Sequence, residues 1–352
     1  MKKAMKKFVK LAAVSMTALA AVSGAAQAAP LYFPDPEDGV VSLQYGQFTV
    51  YSLAMLNYYA MNGKTSPPSN NDPYYVKSAP GQINEFIVIA TGSKGVSNGE
   101  FANTDNPFLT PSGGGSGSSV FWTTTSPDPS DTFGADALGM DNAGTWDISL
   151  ETLRDYLKGQ KLFFGFNLNE TDSAGSELLT VEQDALAWGR VTLVDLDTGA
   201  EVSFIFDGTN SNDAIQSQTL FTHDGVDWGR IHGEICVAKV SDGQTPQLLH
   251  LGPCTGDDVN GVTINQNLGA DRVAFALTND ELSALIYNTD FDVMRVEMGL
   301  ADINNGYEQL FIFGLGQNIV PDPDPVPEPA GVALLGLGIL GIAAARRGKK
   351  AA

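Results

Sequence analysis

The chain has 352 residues, and 41 Asp and Glu stand against 20 Lys and Arg for a formal net charge of −21. An acidic balance of this size repels phosphate backbones and excludes DNA or RNA as the natural partner. The length suits one large β domain or two smaller ones, and no repeat of 20 to 50 residues is visible.

The chain opens with Lys2, Lys3, Lys6, Lys7 and Lys10, followed by an apolar run over residues 11–22 and then "GAAQAAP". A basic start, an apolar stretch too short to span a bilayer and a small-x-small site predict a secretory signal peptide over residues 1–28. Cleavage is expected after Ala26-Gln27-Ala28, leaving Ala29 first. Charge gathered at one end argues against a basic amphipathic surface helix, which spreads it around the helix.

Residues 29–318 form the expected body. With the signal and the C-terminal segment set aside, it and its linker hold 11 positive and 40 negative groups, a formal net charge of −29. Such a surface attracts divalent cations and suits a soluble extracellular protein in saline surroundings. Runs of β type recur at residues 40–45, 48–59, 83–91, 161–168, 187–196, 201–206, 231–240, 272–278, 293–300 and 309–314. The turn residues between them favour antiparallel pairing.

Two stretches are too rich in Gly, Ser, Asn and Pro to pack and are expected as surface loops. They are "GKTSPPSNNDP" from Gly63 and "NTDNPFLTPSGGGSGSS" from Asn103. Further on, "DISLETLRDYLKG" spaces Ile148, Leu150, Leu153, Tyr156 and Leu157 as a helix that stops at Gly159. "WGRVTLVDLDTGAEVSFIFDG" predicts a β-hairpin. Val191, Leu193 and Leu196 form one apolar arm, Val202, Phe204 and Phe206 the other, and Asp197-Thr198-Gly199 the turn. "TNDELSALIYN" predicts a second short helix, with Thr278 and Glu281 as a capping box. The fold class expected is mainly β, an antiparallel β-sandwich-like body with one or two short helices, followed by a C-terminal transmembrane helix.

Chemistry in the body is sparse. The three histidines, His223, His232 and His250, match no HExxH or CxxC spacing. In "RIHGEICVAKV" strand alternation puts His232, Glu234 and Cys236 on one side, and a strand whose polar end reaches solvent is the favoured reading. There is no GxSxG, and "GGGSGSS" lacks the strand-to-helix context of a nucleophile elbow or phosphate loop. We therefore assign no catalytic residue. "DLDTGAE" and "TGDDVNG" combine oxygen donors with glycines, which suits calcium better than a transition metal. Ordinary Asp/Gly turns are the simpler reading. Asp195, Asp197, Asp257 and Asp258 are the donors if calcium binds, and no other cofactor is implied. Cys236 and Cys254, the only cysteines, are expected to pair in an oxidising compartment, contributing about 3 kcal/mol, rather than remain two unrelated thiols.

A Pro/Asp linker follows at residues 319–326, and residues 327–350 form a segment of their own. Pro327-Glu328-Pro329 is stiff and cannot continue a helix. Residues 330–345 are apolar or small and about 24 Å long as a helix, close to a span once flanking residues extend it. The basic end, 346–350 with Arg346 and Arg347, is expected to stay cytoplasmic and leave the body on the outer side.

In this order at the C-terminus, Val326-Pro327-Glu328-Pro329, the Gly/Ala/Leu-rich span and Arg346-Arg347 resemble the PEP-CTERM sorting signal of Gram-negative exported proteins. The resemblance covers about 27 residues. It implies recognition by an exosortase, an inner-membrane intermediate, and delivery to the cell surface or to an extracellular, exopolysaccharide-rich matrix such as a biofilm. The same type of tail also carries the label of an ice-binding protein C-terminal domain, but "FWTTT" at residues 121–125 is no regular threonine ladder.

Three functions are compatible with these features. First comes a non-enzymatic binding or structural protein of the surface or matrix, with exopolysaccharide as a partner. The second is a secreted hydrolase acting on matrix polysaccharide, whose acid and base carboxylates stand about 5 to 9.5 Å apart without a local motif. The third is a calcium-dependent self-associating matrix component.

Overall fold

The computed structural model describes residues 33, 42–78, 85–111, 119–126, 142–170, 183–209, 214–215, 228–240, 247–288, 290–303 and 308–318. The expected signal peptide, linker and sorting segment lie outside these residues. The chain divides after Tyr32, and the described residues belong to the unit Phe33–Ala352.

Seven strands form the first sheet, in the spatial order β1 (Leu43–Tyr45), β2 (Phe48–Ser52), β15 (Phe275–Thr278), β7 (Gln160–Asn167), β17 (Gln309–Asn318), β3 (Ile87–Thr91) and β4 (Phe108–Leu109). The second runs β10 (Ala214–Ile215), β11 (Trp228–Ile231), β8 (Ala185–Val194), β16 (Val293–Ile303) and β5 (Ser119–Trp122). β9 (Glu201–Phe206) pairs with β8, and β6 (Trp146–Ser149) with β16. A third, small sheet orders β13 (Leu248–Leu251), β12 (Glu234–Ala238) and β14 (Gly261–Asn265). Among the described strands only β3 and β4 pair in parallel.

The two large sheets share one core, to which the first contributes Phe48, Val50, Phe164 and Phe166, and the second Val191, Phe204, Met294 and Val296. The first sheet is also covered on its other side, where Tyr51, Val88, Phe163, Phe311 and Phe313 gather with Leu53 and Leu56. Burial on both faces explains why β3 and β7 read as continuous apolar runs without alternation. Gly165 makes that second face possible, since a Cβ there would lie 2.7 Å from the Phe311 ring and 2.8 Å from Phe313. On β8, Ala187 and Val191 join the shared core, while Leu186 and Trp188 meet Trp122 and Trp228 in a separate cluster. The rings of Trp122 and Trp228 cross edge to face at 4.9 Å.

The hairpin forms from β8 and β9, in the register Val191 with Phe204 and Leu193 with Val202, while Leu196, expected on the first arm, lies in the turn beyond the end of β8 at Val194. Its turn is closed by Asp195, whose backbone N–H donates to the Ala200 carbonyl at 2.9 Å.

Among the described residues there are three α-helices, where one or two short ones were expected. α1 (Leu53–Ala60) takes up the second half of the run expected as a strand over residues 48–59 and extends one residue beyond it. Ser52 ends β2 and caps the helix, its Oγ accepting from the Met55 N–H at 3.2 Å, and Leu53 to Tyr58 are all buried. α2 (Leu150–Leu157) ends at Lys158 and Gly159, both at positive φ. Arg154 on α2 donates to the carbonyls of Ile286 and Asn288, which fixes the end of α3 (Asp280–Ile286). Asn279 caps α3 by accepting from the Leu282 N–H at 2.8 Å. The cap is therefore Asn279 and not Thr278, which completes β15 and whose hydroxyl donates to the Leu162 carbonyl.

Two further expectations are corrected. The run over residues 231–240 is broken at His232-Gly233, so that β11 belongs to the second sheet and β12 to the third. The stretch expected as a loop from Asn103 contains β4, and buried Asn98 fixes its approach by donating to the Val88 and Asp105 carbonyls at 2.7 and 2.6 Å. Among the described residues no helix is long and apolar enough to cross a membrane.

Candidate functional site: a cavity between the sheets

A cavity of about 90 Å³ lies where the two large sheets approach the small one. Val50, Phe164 and Phe166 line it from the first sheet, Ala187 and Met298 from the second, and Ile235 and Leu251 from the third. The lining is almost wholly apolar because alternate positions of half-buried strands fall toward the shared core. Ser52, His232, Gln266 and the paired Arg190 and Glu297 supply polar groups. The volume exceeds the roughly 10 to 15 Å³ that admits one water, but an apolar wall gives water few partners.

His232 is held by the bend that breaks the expected strand. Asp184, immediately before β8, is 4% exposed, and its Oδ2 lies 2.7 Å from Arg230 Nη2 and 3.3 Å from His232 Nδ1. The other oxygen, Oδ1, accepts from the Gly233 N–H at 2.7 Å. Gln266 donates to the His232 carbonyl at 2.9 Å. One carboxylate thus neutralises a partly buried guanidinium and ties down the turn that places an imidazole at the cavity. Ser52, the hydroxyl lining the cavity, is engaged as the α1 cap.

A second polar group sits where β7 ends and β17 begins. Glu170 and Glu308 are both buried, and burial followed by the neighbouring Glu170 carboxyl pushes Glu308 well above the ordinary glutamate range. Thr110 Oγ1 donates to the Glu308 carbonyl at 3.0 Å, and Asn267 donates to that of Glu170. Sequence reading missed this pair because the two residues are far apart in the chain.

The third group is on the small sheet. Cys236 of β12 is bonded to Cys254, with their Cα atoms 4.8 Å apart. Cys236 lies opposite His250 of β13 in the strand register. His250 Nε2 is 2.9 Å from Asp258 Oδ2, and that hydrogen bond, followed by the Leu251 carbonyl, raises the imidazole above its ordinary range. His250 likewise holds the Asp258 carboxyl down at about 2, aided by the Thr255 N–H. "HLGPCTGDD", with His, Cys and Asp at intervals of four, was the sequence signal for this meeting.

The calcium candidates fall in two separate turns. Asp195 Oδ1 accepts from the N–H groups of Asp197 and Thr198, and its Oδ2 from the Thr198 hydroxyl, which lowers its pKa. Asp257 is exposed in the loop between β13 and β14, and its neighbour Asp258 is engaged by His250 and Thr255. Among the described residues, the group of three His, Cys, Asp or Glu ligand atoms within 4.8 Å of one another is Cys236, His250 and Asp258. Ala26, Ala28 and Ala29, Pro327, Glu328 and Pro329, and Arg346 and Arg347 lie outside the described residues.

The family described as "Domain of unknown function (DUF8239)" matches residues 31–299. The chain belongs to that family. Its match runs from before β1 into β16 and so takes in most residues of all three sheets, whereas β17 lies beyond it. Residues 325–347 match the PEP-CTERM protein-sorting motif, which marks an exported protein sorted to the cell surface and processed by an exosortase. No curated protein and no solved structure matches the chain.

Proposed function

We propose that the mature protein is a non-enzymatic component of the cell surface or of an exopolysaccharide-rich matrix, and that its body holds a small apolar ligand between its sheets. Delivery starts with the secretory signal at residues 1–28. The span at residues 330–345 then parks the chain in the inner membrane with Arg346 and Arg347 inside, and cleavage at Pro327-Glu328-Pro329 frees the body. The strong negative charge keeps that body soluble among acidic or neutral polysaccharides.

The observation that carries the binding role is the apolar cavity. Left empty, 90 Å³ costs on the order of 2 kcal/mol at about 24 cal/mol per Å³. An alkyl or aryl group recovers much of that on entering, whereas water does not. Thermal unfolding with a series of alkyl alcohols and aromatic compounds tests the reading. A ligand at a hundred times its Kd adds about 2.7 kcal/mol, a shift of several degrees. Ala187→Leu, which extends a side chain into the cavity, is expected to abolish the shift. No shift with any apolar compound, or an equal shift in Ala187→Leu, would remove the binding role.

A secreted hydrolase is the second reading, and the Glu170–Glu308 pair is the observation that favours it, since one carboxyl kept protonated can serve as a general acid. Against it, both carboxyls are buried away from solvent, whereas glycosidases hold theirs about 5 to 9.5 Å apart around a space that admits sugar and water.

A further inference from the structure

Four residues of the small sheet and its loop come together with chemistry that the cavity does not use. Cys236 Sγ, a ring nitrogen of His250 and a carboxylate oxygen of Asp258 lie within 4.8 Å of one another, and Cys254 Sγ is bonded to the first. We propose that these four residues form a redox-gated site for a thiophilic divalent cation of the zinc class, closed while the disulfide stands and open once it is reduced.

The donor set is that of a four-coordinate site, two thiolates, one imidazole and one carboxylate. His250 Nδ1 lies 3.0 Å from the Leu251 carbonyl oxygen. An N–H···O bond there leaves Nε2 as the coordinating atom, and a backbone carbonyl is the usual partner that orients a metal-bound imidazole. Nε2 already faces Asp258 Oδ2 at 2.9 Å, so a cation takes the place of the proton between them. Thr255 holds that same oxygen through its N–H at 2.7 Å and its hydroxyl at 2.9 Å. Asp258 is therefore in position before any metal arrives.

Space for the sulfurs comes from Gly261. A Cβ at that position would lie 2.7 Å from Cys236 Sγ, 2.8 Å from Cys254 Sγ and 2.9 Å from Asp258 Cβ. In a tetrahedral site with metal–sulfur bonds of ~2.3 Å the sulfurs stand roughly 3.8 Å apart, and side-chain rotation into the volume that Gly261 leaves open supplies the separation. Access is available from the loop side, where the His250 side chain is 37% exposed and that of Asp258 17%.

Opening consumes a dithiol reductant. Its two S–H groups become a disulfide, and the Cys236–Cys254 bond becomes two thiols with the transferred electrons and protons. Metal binding then releases both thiol protons and the one shared by His250 and Asp258 to solvent. In the oxidised protein neither sulfur is a thiolate, and the site is shut.

Cobalt(II) added to the full chain is the probe. The oxidised protein is expected to give no thiolate-to-cobalt band. After treatment with a dithiol and its removal, one equivalent is expected to give a strong near-ultraviolet thiolate band and the intense visible bands of four-coordinate cobalt, both displaced by zinc. His250→Ala and Asp258→Asn are each expected to weaken cobalt binding by roughly tenfold or more. Cys254→Ser carries the test without reduction, and is expected to bind more weakly through Cys236, His250 and Asp258 with a single-thiolate band. Absence of a thiolate band in the reduced protein and in Cys254→Ser overturns the proposal. So does unchanged affinity in both the His250 and Asp258 variants, which would leave a pair of thiols binding without the fold.

Discussion

Glu308 and Glu170 are neighbouring carboxyls held away from water, Glu308 entirely buried and Glu170 2% exposed. Two adjacent buried carboxyls cannot both ionise cheaply, so burial and the neighbour hold the Glu308 proton in place. A carboxyl whose pKa is raised on folding gives stability that is complete below the unfolded value and declines as pH rises toward the folded one.

For Glu308 the decline starts near its ordinary value of 4.5. Glu308→Gln keeps the shape and a hydrogen-bond donor but takes up no proton on folding. Its stability minus that of wild type is expected to grow above pH 4.5 at about 1.4 kcal/mol per pH unit until the folded pKa is reached. Denaturant melts of both proteins from pH 4 to 8 check this, and a constant difference across that range would show that Glu308 does not retain its proton.

Asn98 makes a second specific commitment. Its amide donates to the Val88 and Asp105 carbonyls and accepts from the Val88 N–H at 3.0 Å, all away from water. Asn98→Ala strips three buried backbone groups of a partner, at a cost of roughly 3 kcal/mol. Urea unfolding is expected to show that loss with an unchanged m-value.

The Cys236–Cys254 bond closes a loop across the small sheet. Cys236→Ser combined with Cys254→Ser is expected to lower unfolding free energy by about 3 kcal/mol on the chain-entropy account. Differential scanning calorimetry of the double variant against oxidised wild type reads the effect.

Legibility of this fold in the sequence followed burial. The β8–β9 hairpin was plain because β9 alternates in exposure and Asp-Thr-Gly marks its turn. Helix α2 was plain because Leu150, Leu153 and Leu157 lie on one buried face, although Ile148, also read as helical, stands on β6. Helix α1 was hidden because Leu53 to Tyr58 are buried all round, which erases the helical period and imitates a core strand. The break at His232-Gly233 was hidden because Asp184, distant in sequence, holds the bend. The same distance concealed the cavity, whose walls come from three sheets, and the Glu170–Glu308 pair. Sorting was legible without any folding argument, because Pro327-Glu328-Pro329, an apolar stretch and two arginines follow one another in sequence and match the motif at residues 325–347.

On the proposed reading, processing depends on those few residues. Glu328→Ala is expected to leave an uncleaved precursor in the inner membrane, and replacing Arg346 and Arg347 together to let the span slip or invert. Membrane fractionation of the variants, followed by immunodetection of the body, gives the distribution.

The most direct measurement is the intact mass of the protein recovered from the surface of wild-type cells that carry an exosortase. A chain that starts near Ala29 and ends at or near Pro327-Glu328-Pro329 is the expected result. Surface protein that still carries residues 330–352 would contradict it and reduce the C-terminal segment to a plain anchor.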